Sequence, residues 1–102
     1  MTPARGDIWW AEAEDKRRPV LVVTRTDAIA VLRWIIVAPV TRTVRSIPTE
    51  IQLGPAEGLS DECAASFDNL QPINKSFLTE RIGSVGWRYV EICSALEALA
   101  DC

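Results

Sequence analysis

The chain has 102 residues, 48% of them hydrophobic and 25% charged, which is the composition of a single globular domain, residues 1–102, with a modest core. It contains no histidine, and this absence excludes a histidine general base, a Ser-His-Asp triad and a histidine-bound metal. Its 3 cysteines are odd in number and form no Cys-x-x-Cys motif, so we expect neither a disulfide framework nor a zinc site.

Nothing in the sequence indicates a membrane or secreted protein. No apolar run approaches the roughly 20 residues of a membrane helix. The first residues lack the apolar core of a signal peptide. The sequence therefore predicts a cytoplasmic protein with no membrane partner.

The distribution of charge differs between the two halves of the chain. Residues 1–50 carry eight Lys or Arg and six Asp or Glu, whereas residues 51–102 carry three and eight. The first half has a balance of +2 and the second of −5, which together give the net charge of −3. The net charge argues weakly against a nucleic-acid partner, but a local basic surface can bind phosphate although the whole chain is acidic.

Apolar or alternating runs bounded by turn residues predict five or six short strands. They cover residues 7–11, 19–24, 32–40, 49–53 and 63–67, with 80–85 as one more short strand. Residues 12–17, between the first two strands, are densely charged and are predicted as a turn. Pro39 indicates a bulge or the exit of the third strand, because proline donates no ladder hydrogen bond.

From Trp87 onward, apolar residues recur at helical spacing, which predicts an amphipathic C-terminal helix. Its apolar face is expected to carry Trp87, Val90, Cys93 or Ser94, Leu96 and Leu99, widened by Ile92 and Ala95. Short strands with short connections, followed by one helix, predict a mainly β barrel or curled sheet with mostly antiparallel pairing.

The four tryptophans fall in strand or helix patterns and are predicted to build the core. They are Trp9, Trp10, Trp34 and Trp87. Trp9 and Trp10 are adjacent, so in a strand their side chains point to opposite faces. If one of them is exposed, it could stack on a base or lie at a subunit interface, and we favour the interface.

The basic run Lys16-Arg17-Arg18 directly precedes Pro19 and the second predicted strand. A charge run before a strand is most simply a solvated turn. Proline, however, restricts the residue before it to extended backbone, so Arg18 is expected at the rim of the barrel. A guanidinium fixed there can fork onto a phosphate and stabilise charge in a transition state.

Polar residues also follow the third predicted strand. Thr41, Arg42 and Thr43 form either a solvated loop or contacts to a phosphate or sugar. The carboxylates near these segments, each of which is either a surface residue or a candidate general base, are Glu12, Glu14, Asp15 and Asp68.

Six segments stand in a particular order over nearly the full length of the chain. They are Arg5-Gly6-Asp7-Ile8-Trp9-Trp10, Arg18-Pro19-Val20-Leu21-Val22-Val23, Val37-Ala38-Pro39-Val40-Thr41, Ile47-Pro48-Thr49-Glu50-Ile51, Asp68-Asn69-Leu70-Gln71-Pro72-Ile73 and Arg81-Ile82-Gly83. In this order and spacing, the chain resembles toxins of the MazF/PemK family.

The resemblance implies a fold, an activity and partners. The fold would be an SH3-like β-barrel with a C-terminal helix, as in MazF, PemK and CcdB, working as a homodimer. The activity would be that of a metal-independent, sequence-selective endoribonuclease that cleaves single-stranded RNA, needs no cofactor and inhibits translation. The further partner would be an antitoxin encoded beside it, whose flexible tail fills the RNA groove.

The resemblance also assigns site residues by position. Arg18 matches the family's catalytic arginine, Thr41 its active-site threonine, and Asp68 an aspartate proposed as base in some members. Glu14 is a second candidate base, although the loop that contains it is shorter than in many members. The residues expected to bind RNA are Arg17, Thr24, Arg25, Arg42 and Asn69.

The mechanism expected for such a site needs no external nucleophile. The 2′-OH of the RNA attacks the adjacent phosphorus, which leaves a 2′,3′-cyclic phosphate and a free 5′-OH. Two other functions are compatible with the same barrel: a non-enzymatic, CcdB-like toxin that binds DNA gyrase, and an inactive SH3-like binding module. The pairing of Arg18 with Thr41 favours the ribonuclease over the gyrase-binding toxin.

Overall fold

The computed structural model describes residues 2–13 and 15–100, which form a curled antiparallel sheet and a C-terminal helix. The strands in this part of the chain are β1 (Asp7–Ala13), β2 (Lys16–Val22), β3 (Trp34–Thr41), β4 (Glu50–Leu53), β5 (Cys63–Ser66), β6 (Gln71–Asn74) and β7 (Leu78–Ser84). The α-helices are α1 (Thr26–Ile29) and α2 (Val90–Leu99), and 3₁₀ turns cover Pro55–Glu57, Phe67–Asn69, Lys75–Phe77 and Gly86–Tyr89. No helix within these two ranges is both long and apolar enough to cross a membrane.

The strands are ordered β4-β5-β3-β2-β1-β7, and β6 also pairs with β3. Every pairing is antiparallel, as the short connections predicted. The end strands β4 and β7 share no ladder in the part of the chain that the structure describes, so the sheet is a half-barrel. The predicted mainly β architecture, an SH3-like barrel with a C-terminal helix, is confirmed in this half-open form.

One stretch that was predicted as a turn belongs mostly to strands, and another with no predicted strand contains one. Within residues 12–17, Glu12 pairs with Arg17 and Ala13 pairs with Lys16. Residues 68–75 contain β6, whose Pro72 lies opposite a residue of β3. Proline argues against a central strand but is tolerated on an edge strand, where one side of the backbone needs no donor.

The curled sheet buries a hydrophobic cluster on each of its faces. The larger cluster lies beneath α2 and includes Ile8, Phe67 and Ile92, which are fully buried. The second lies beneath α1 and includes Trp9 and Ile29. The adjacent residues Ile8 and Trp9 thus enter different clusters, because successive side chains of a strand point to opposite faces.

The prediction that all four tryptophans build the core is wrong for two of them. Trp9 is buried and Trp10 half-buried, but Trp34 is 55% exposed and Trp87 is 84% exposed. Trp34 begins β3 on the face opposite to the buried Ile35. Trp87 lies in the 3₁₀ turn before α2 and is therefore out of phase with the buried face of the helix.

Helix α2 packs only part of the predicted face against the sheet. Ile92 and Ala95 are buried and Leu96 is partly buried, as predicted, whereas Val90 and Cys93 are exposed, so the prediction that Cys93 lies in the core is wrong. The predicted stripe was counted from Trp87 at intervals of three residues. In an α-helix, which has 3.6 residues per turn, such a series drifts around the helix and leaves the buried face.

Arg88 fastens the start of α2 to the sheet. Its guanidinium contacts both carboxylate oxygens of Glu91, at 2.7 and 3.0 Å, and the carboxylate of Glu57 at 3.0 Å. It also donates to the carbonyl oxygen of Gln52 in β4 at 2.7 Å. The hydrogen bond from Arg88 lowers the pKa of Glu91, and the same bond raises the pKa of Arg88. This network fixes the helix across the larger cluster.

The orientation of α2 predicts unequal effects for two neighbouring substitutions. Ile92→Ala removes a fully buried side chain and is expected to lower the free energy of unfolding by about 2–5 kcal/mol. Val90→Ala alters an exposed position of the same helix and is expected to change it by at most about 0.5 kcal/mol. Urea unfolding measures both values. Similar losses in the two variants would show that the helix packs another face.

Candidate functional site

Strand β3 changes its hydrogen-bonded neighbour partway along one edge. Residues 34–37 pair with β6, whereas residues 40–41 pair with β5. Pro39 stands between these segments. On the opposite edge of β3, the carbonyl oxygen of Ile36 accepts the N–H of Val23 at 3.0 Å, so the backbone groups of Ile36 point away from β6. Backbone groups of successive strand residues point to alternate edges, so the nitrogen of Pro39, three residues later, points toward β5 and β6. A residue without an N–H leaves no unpaired donor where the two neighbours separate. The strand continues beyond Pro39, so the predicted strand exit is wrong.

A groove of about 770 Å³ opens where β5 and β6 separate. The 3₁₀ turn Phe67–Asn69 connects the two strands, burying Phe67 completely and leaving Asp68 and Asn69 exposed. The charged and polar side chains that line the groove are Arg18, Thr41, Arg42, Arg45, Ser66, Asp68, Asn69 and Gln71. The change of strand partner therefore produces a polar depression at one end of β3.

The register of β2 and β3 brings Arg18 and Thr41 to the same end of the two strands. The ladder ends with Val20 opposite Pro39, and Arg18 and Thr41 lie just beyond it. Both residues line the groove. Arg18 forms no salt bridge with any carboxylate of residues 2–13 and 15–100, so its guanidinium is available to a ligand. Two of the residues singled out in the sequence are thus brought together.

The groove is electropositive although the chain is acidic. Arg18, Arg42 and Arg45 line it together with one carboxylate, that of Asp68, although a further buried carboxylate, that of Glu50, is bound to Arg45. The Arg42 guanidinium lies 3.7 Å from the carboxylate of Asp61, but both side chains are largely exposed and the pair is a weak one. A concave site with an excess of arginine attracts an anionic ligand.

The Asp68 carboxylate is oriented by a neighbouring strand. The hydroxyl of Thr49, which precedes β4, donates to Oδ2 of Asp68 at 2.7 Å. The side-chain amide of Asn69 donates to the hydroxyl of Ser66 at 2.9 Å. These two bonds hold the polar turn against the groove. The predicted pairing of Asp68 with the Arg18–Thr41 pair in one site is compatible with this geometry, since all three side chains line the groove.

Sequence reasoning missed Glu50, a buried carboxylate at the edge of the groove. Its side chain is only 1% exposed, although the alternation of strand 49–53 predicted an outward position. One carboxylate oxygen accepts the backbone N–H of Arg45 at 2.8 Å, and the other lies 3.6 Å from the Arg45 guanidinium. Glu50 therefore holds Arg45 in place, since a buried charge is retained only with partners. No sequence pattern marks this role.

Three residues predicted to bind RNA do not line the groove. Arg17 lies on the opposite face of β2 from Arg18 and contacts Trp10. The Thr24 hydroxyl accepts the backbone N–H of Ile36 at 2.7 Å. Arg25 pairs with its near neighbour Asp27 at 3.1 Å. Arg42 and Asn69, in contrast, line the groove.

Glu14, the second candidate base, lies outside the described residues, as does Cys102. Within residues 2–13 and 15–100, no three cysteine, aspartate or glutamate side chains converge in a way that could hold a metal ion.

The chain is thus a small β protein with a half-open antiparallel barrel, which carries an arginine-lined groove at the end of its central strands. Residues 4–99 match the model of the PemK-like, MazF-like toxins of type II toxin–antitoxin systems. The chain belongs to this family.

Individual relatives agree with this assignment. The chain is 40% identical over 103 aligned positions to the probable endoribonuclease MazF5 of Mycobacterium tuberculosis. The alignment covers 98% of this chain and 94% of that protein. The solved structure of the Mycobacterium tuberculosis toxin MazF-mt6 superposes with a TM-score of 0.84 at 33% identity, covering 93% of this chain and 96% of that one. An endoribonuclease from a mycobacterial species, solved with its cognate antitoxin, shares the fold at 24% identity, with a TM-score of 0.80 and coverage of 95% and 93%.

The contact between Glu50 and Arg45 predicts a loss of stability when the carboxylate is removed. Glu50→Ala leaves the Arg45 N–H without its buried acceptor and is expected to lower the free energy of unfolding by about 1–3 kcal/mol. Glu50→Gln keeps an acceptor oxygen and should lose less. Glu97→Ala, an exposed position on α2, is the control and should change stability by at most about 0.5 kcal/mol in the same urea titration. A Glu50→Ala protein as stable as the wild type would contradict this role.

Proposed function

We propose that residues 1–102 form one toxin domain, an endoribonuclease that cleaves single-stranded RNA in the cytoplasm without a metal ion or cofactor. The observation that carries the proposal is that Arg18, which pairs with no carboxylate of residues 2–13 and 15–100, lines one groove together with Thr41 and two further arginines. Family membership and the endoribonuclease names of relatives support it. The toxic effect would be inhibition of translation through RNA cleavage.

The reaction is a transesterification within the RNA. The 2′-oxygen bonds to the adjacent phosphorus, the bond from phosphorus to the 5′-oxygen of the next nucleotide breaks, and a 2′,3′-cyclic phosphate is formed. A base takes the proton of the 2′-OH, and the leaving 5′-oxygen receives a proton to become a 5′-OH. The nucleophile belongs to the substrate, so the protein has to supply charge stabilisation and proton transfer.

Arg18 would stabilise the charge that develops on the phosphate. Its guanidinium can fork onto two phosphate oxygens, a geometry that a lysine cannot reproduce. The other charged residues that line its groove are Arg42, Arg45 and Asp68. Removing a preorganised donor of this kind typically costs about 2.7–4 kcal/mol of transition-state stabilisation. Arg18 can also protonate the leaving oxygen, while Thr41 donates a hydrogen bond to the phosphate.

Asp68 is the candidate base within the described residues. Its carboxylate is exposed to the groove, and the hydrogen bond from Thr49 at 2.7 Å fixes one oxygen, which leaves the other free to accept a proton. A general base must come within hydrogen-bond reach of the proton that it removes. Glu14 remains the second candidate.

The remaining groove residues would hold the neighbouring nucleotides. Arg42 and Arg45 suit flanking phosphates, and Asn69 suits a base edge or sugar. RNA binding should then weaken as salt rises, because each neutralised phosphate releases counterions. Thr24 and Arg25, which lie away from the groove, would contribute through longer RNA, whereas Arg17 lies on the opposite face of β2 from Arg18.

A homodimer is part of the proposal. Trp34 and Ile36 project from the same face of β3, and both are exposed, as are Val31, Leu32 and Phe77. Trp34 and Phe77 line a cavity of about 410 Å³ that shares Arg18 and Gln71 with the groove. Exposed apolar patches of this kind mark interfaces. Pairing two copies through this side would bring two grooves together into one longer RNA site.

The proposed further partner is a cognate antitoxin whose flexible tail occupies the groove. A relative with the same fold has been solved with its cognate antitoxin. An electropositive groove suits a segment that carries carboxylates, in the same way that it suits RNA phosphates. Binding there would block access to Arg18 and Thr41.

The test of this function is cleavage of mixed RNA in excess EDTA. The wild type is expected to produce ends with a cyclic phosphate and a 5′-OH. Arg18→Ala should reduce kcat/KM by about 10²–10³-fold, and Arg18→Lys, which keeps the charge but not the fork, should remain well below the wild type. Circular dichroism and urea midpoints check that both variants fold.

Three outcomes would contradict the proposal. A folded Arg18→Ala protein that cleaves at the wild-type rate removes Arg18 from the chemistry. Loss of wild-type cleavage in EDTA, restored by a divalent cation, contradicts metal independence. Absence of cleavage combined with trapping of DNA gyrase would assign the chain to the gyrase-binding toxins.

A further inference from the structure

A second cavity, of about 430 Å³, opens on the other face of the β2 and β3 strand ends. It meets the groove over Val40, Thr41 and Arg42, which line both spaces. The volume falls within the roughly 300–1,000 Å³ of small-ligand sites. A molecule lying along the groove past Thr41 therefore has access to this cavity.

The walls of the cavity are mostly apolar. Trp10 of β1 and Pro19 of β2 form one side, and Leu59 and Ile82 form the other. The wall that contains Leu59 is held against β7, where Gly83 has no side chain and so allows the carbonyl oxygen of Glu57 to approach closely. The cavity thus has an aromatic residue in its lining and one wall packed closely against β7.

A stacked pair marks its rim. The Arg17 guanidinium carbon lies 4.1 Å from the centre of the Trp10 ring. Two carboxylates hold the guanidinium there, Glu12 at 3.3 Å and Glu80 at 3.3 Å. The Thr79 hydroxyl donates to Glu12 at 2.5 Å and, with Arg17, lowers the pKa of that carboxylate. Arg17 and Trp10 therefore present a preorganised stacking surface.

The charges at this rim disfavour a phosphate. Arg17 is opposed there by the two carboxylates of Glu12 and Glu80, and the carboxylate of Asp61 lies in the cavity lining, so a phosphate would meet three carboxylates beside Arg17 and Arg42. A neutral planar ring has no such penalty. Bases of single-stranded RNA are recognised by stacking on aromatic side chains and on guanidinium planes. Ser60, Asp61 and Arg42 line the same cavity and offer donors and acceptors to the edge of a base.

We propose that this cavity binds one nucleobase of the RNA strand whose phosphate lies in the groove, with Trp10 and Arg17 as its stacking surface. The inference rests on the proposed ribonuclease function and adds to it a determinant of sequence selectivity. It also gives Arg17 a role in RNA recognition through stacking rather than through a phosphate contact. The competing occupant is an apolar side chain of an antitoxin, which the charge pattern does not select.

The experiment uses short RNA substrates in which single abasic residues replace, one at a time, the bases around the cleaved bond. The cleaved sequence is first found by sequencing the 5′-OH ends. For the wild type, one abasic position should reduce kcat/KM by about 5- to 150-fold, which is the loss of one stacked base. Trp10→Leu should reduce kcat/KM on intact RNA by a similar factor. For this variant, the abasic substitution at that position should cause no further reduction. Trp10→Phe, which keeps a ring, should restore the penalty.

Other outcomes separate the inference from the function on which it rests. If each abasic substitution reduces kcat/KM by the same factor in the wild type and in Trp10→Leu, the cavity binds no base. The proposed ribonuclease activity is then unaffected. If cleavage is unchanged and only neutralisation by a co-expressed antitoxin weakens, the cavity belongs to the antitoxin and the proposal fails. A wild type that cleaves no RNA overturns both. Should Trp10→Leu fail to fold, Leu59→Trp fills the cavity instead and should abolish the same single abasic penalty.

Discussion

The antiparallel register between β2 and β3 is the constraint on which the site depends. Val20 lies opposite Pro39, and this pairing carries Arg18 and Thr41 to the same end of the sheet from positions far apart in the sequence. Buried residues of both strands fix the register, since a slip by one residue would turn the core side chains outward. The rim of the barrel is therefore as rigid as the core beneath it.

Pro39 links this register to the existence of a groove. Its missing N–H lies where β3 exchanges β6 for β5, and the connecting turn between those two strands supplies Asp68 and Asn69. A continuous ladder along this edge would close the space that the groove occupies. The groove thus forms where the strand pairing is interrupted, and Pro39 leaves no unpaired backbone N–H at this position.

Carboxylates decide which arginines remain free. Arg88 and Arg17 are each held by two carboxylates, and both serve packing or stacking. Arg18 has no such partner within residues 2–13 and 15–100. An acidic chain can thereby present one electropositive groove, because most of its negative charge is placed elsewhere or is already paired. Net charge alone was a poor guide to the partner.

The sequence allowed the main strands to be predicted, and it singled out Arg18 and Thr41, which the fold brings to one groove. The apolar runs of β2 and β3 and the proline after Arg18 are local signals, and the family resemblance added Thr41 and Asp68. The burial of Glu50 depends on Arg45 and on the packing of β4, which no local pattern encodes. The buried face of α2 was predicted only in part, because a spacing of three residues drifts around an α-helix.

The most direct test of this account is a double-mutant cycle between Arg18 and Thr41, measured as kcat/KM for RNA cleavage. If the strand register brings both side chains to one phosphate, Arg18→Ala and Thr41→Val should be coupled by about 0.5–3 kcal/mol, so the double variant loses less than the product of the single losses. Losses that multiply without coupling would show that the two residues act on separate parts of the substrate, and would contradict the shared site.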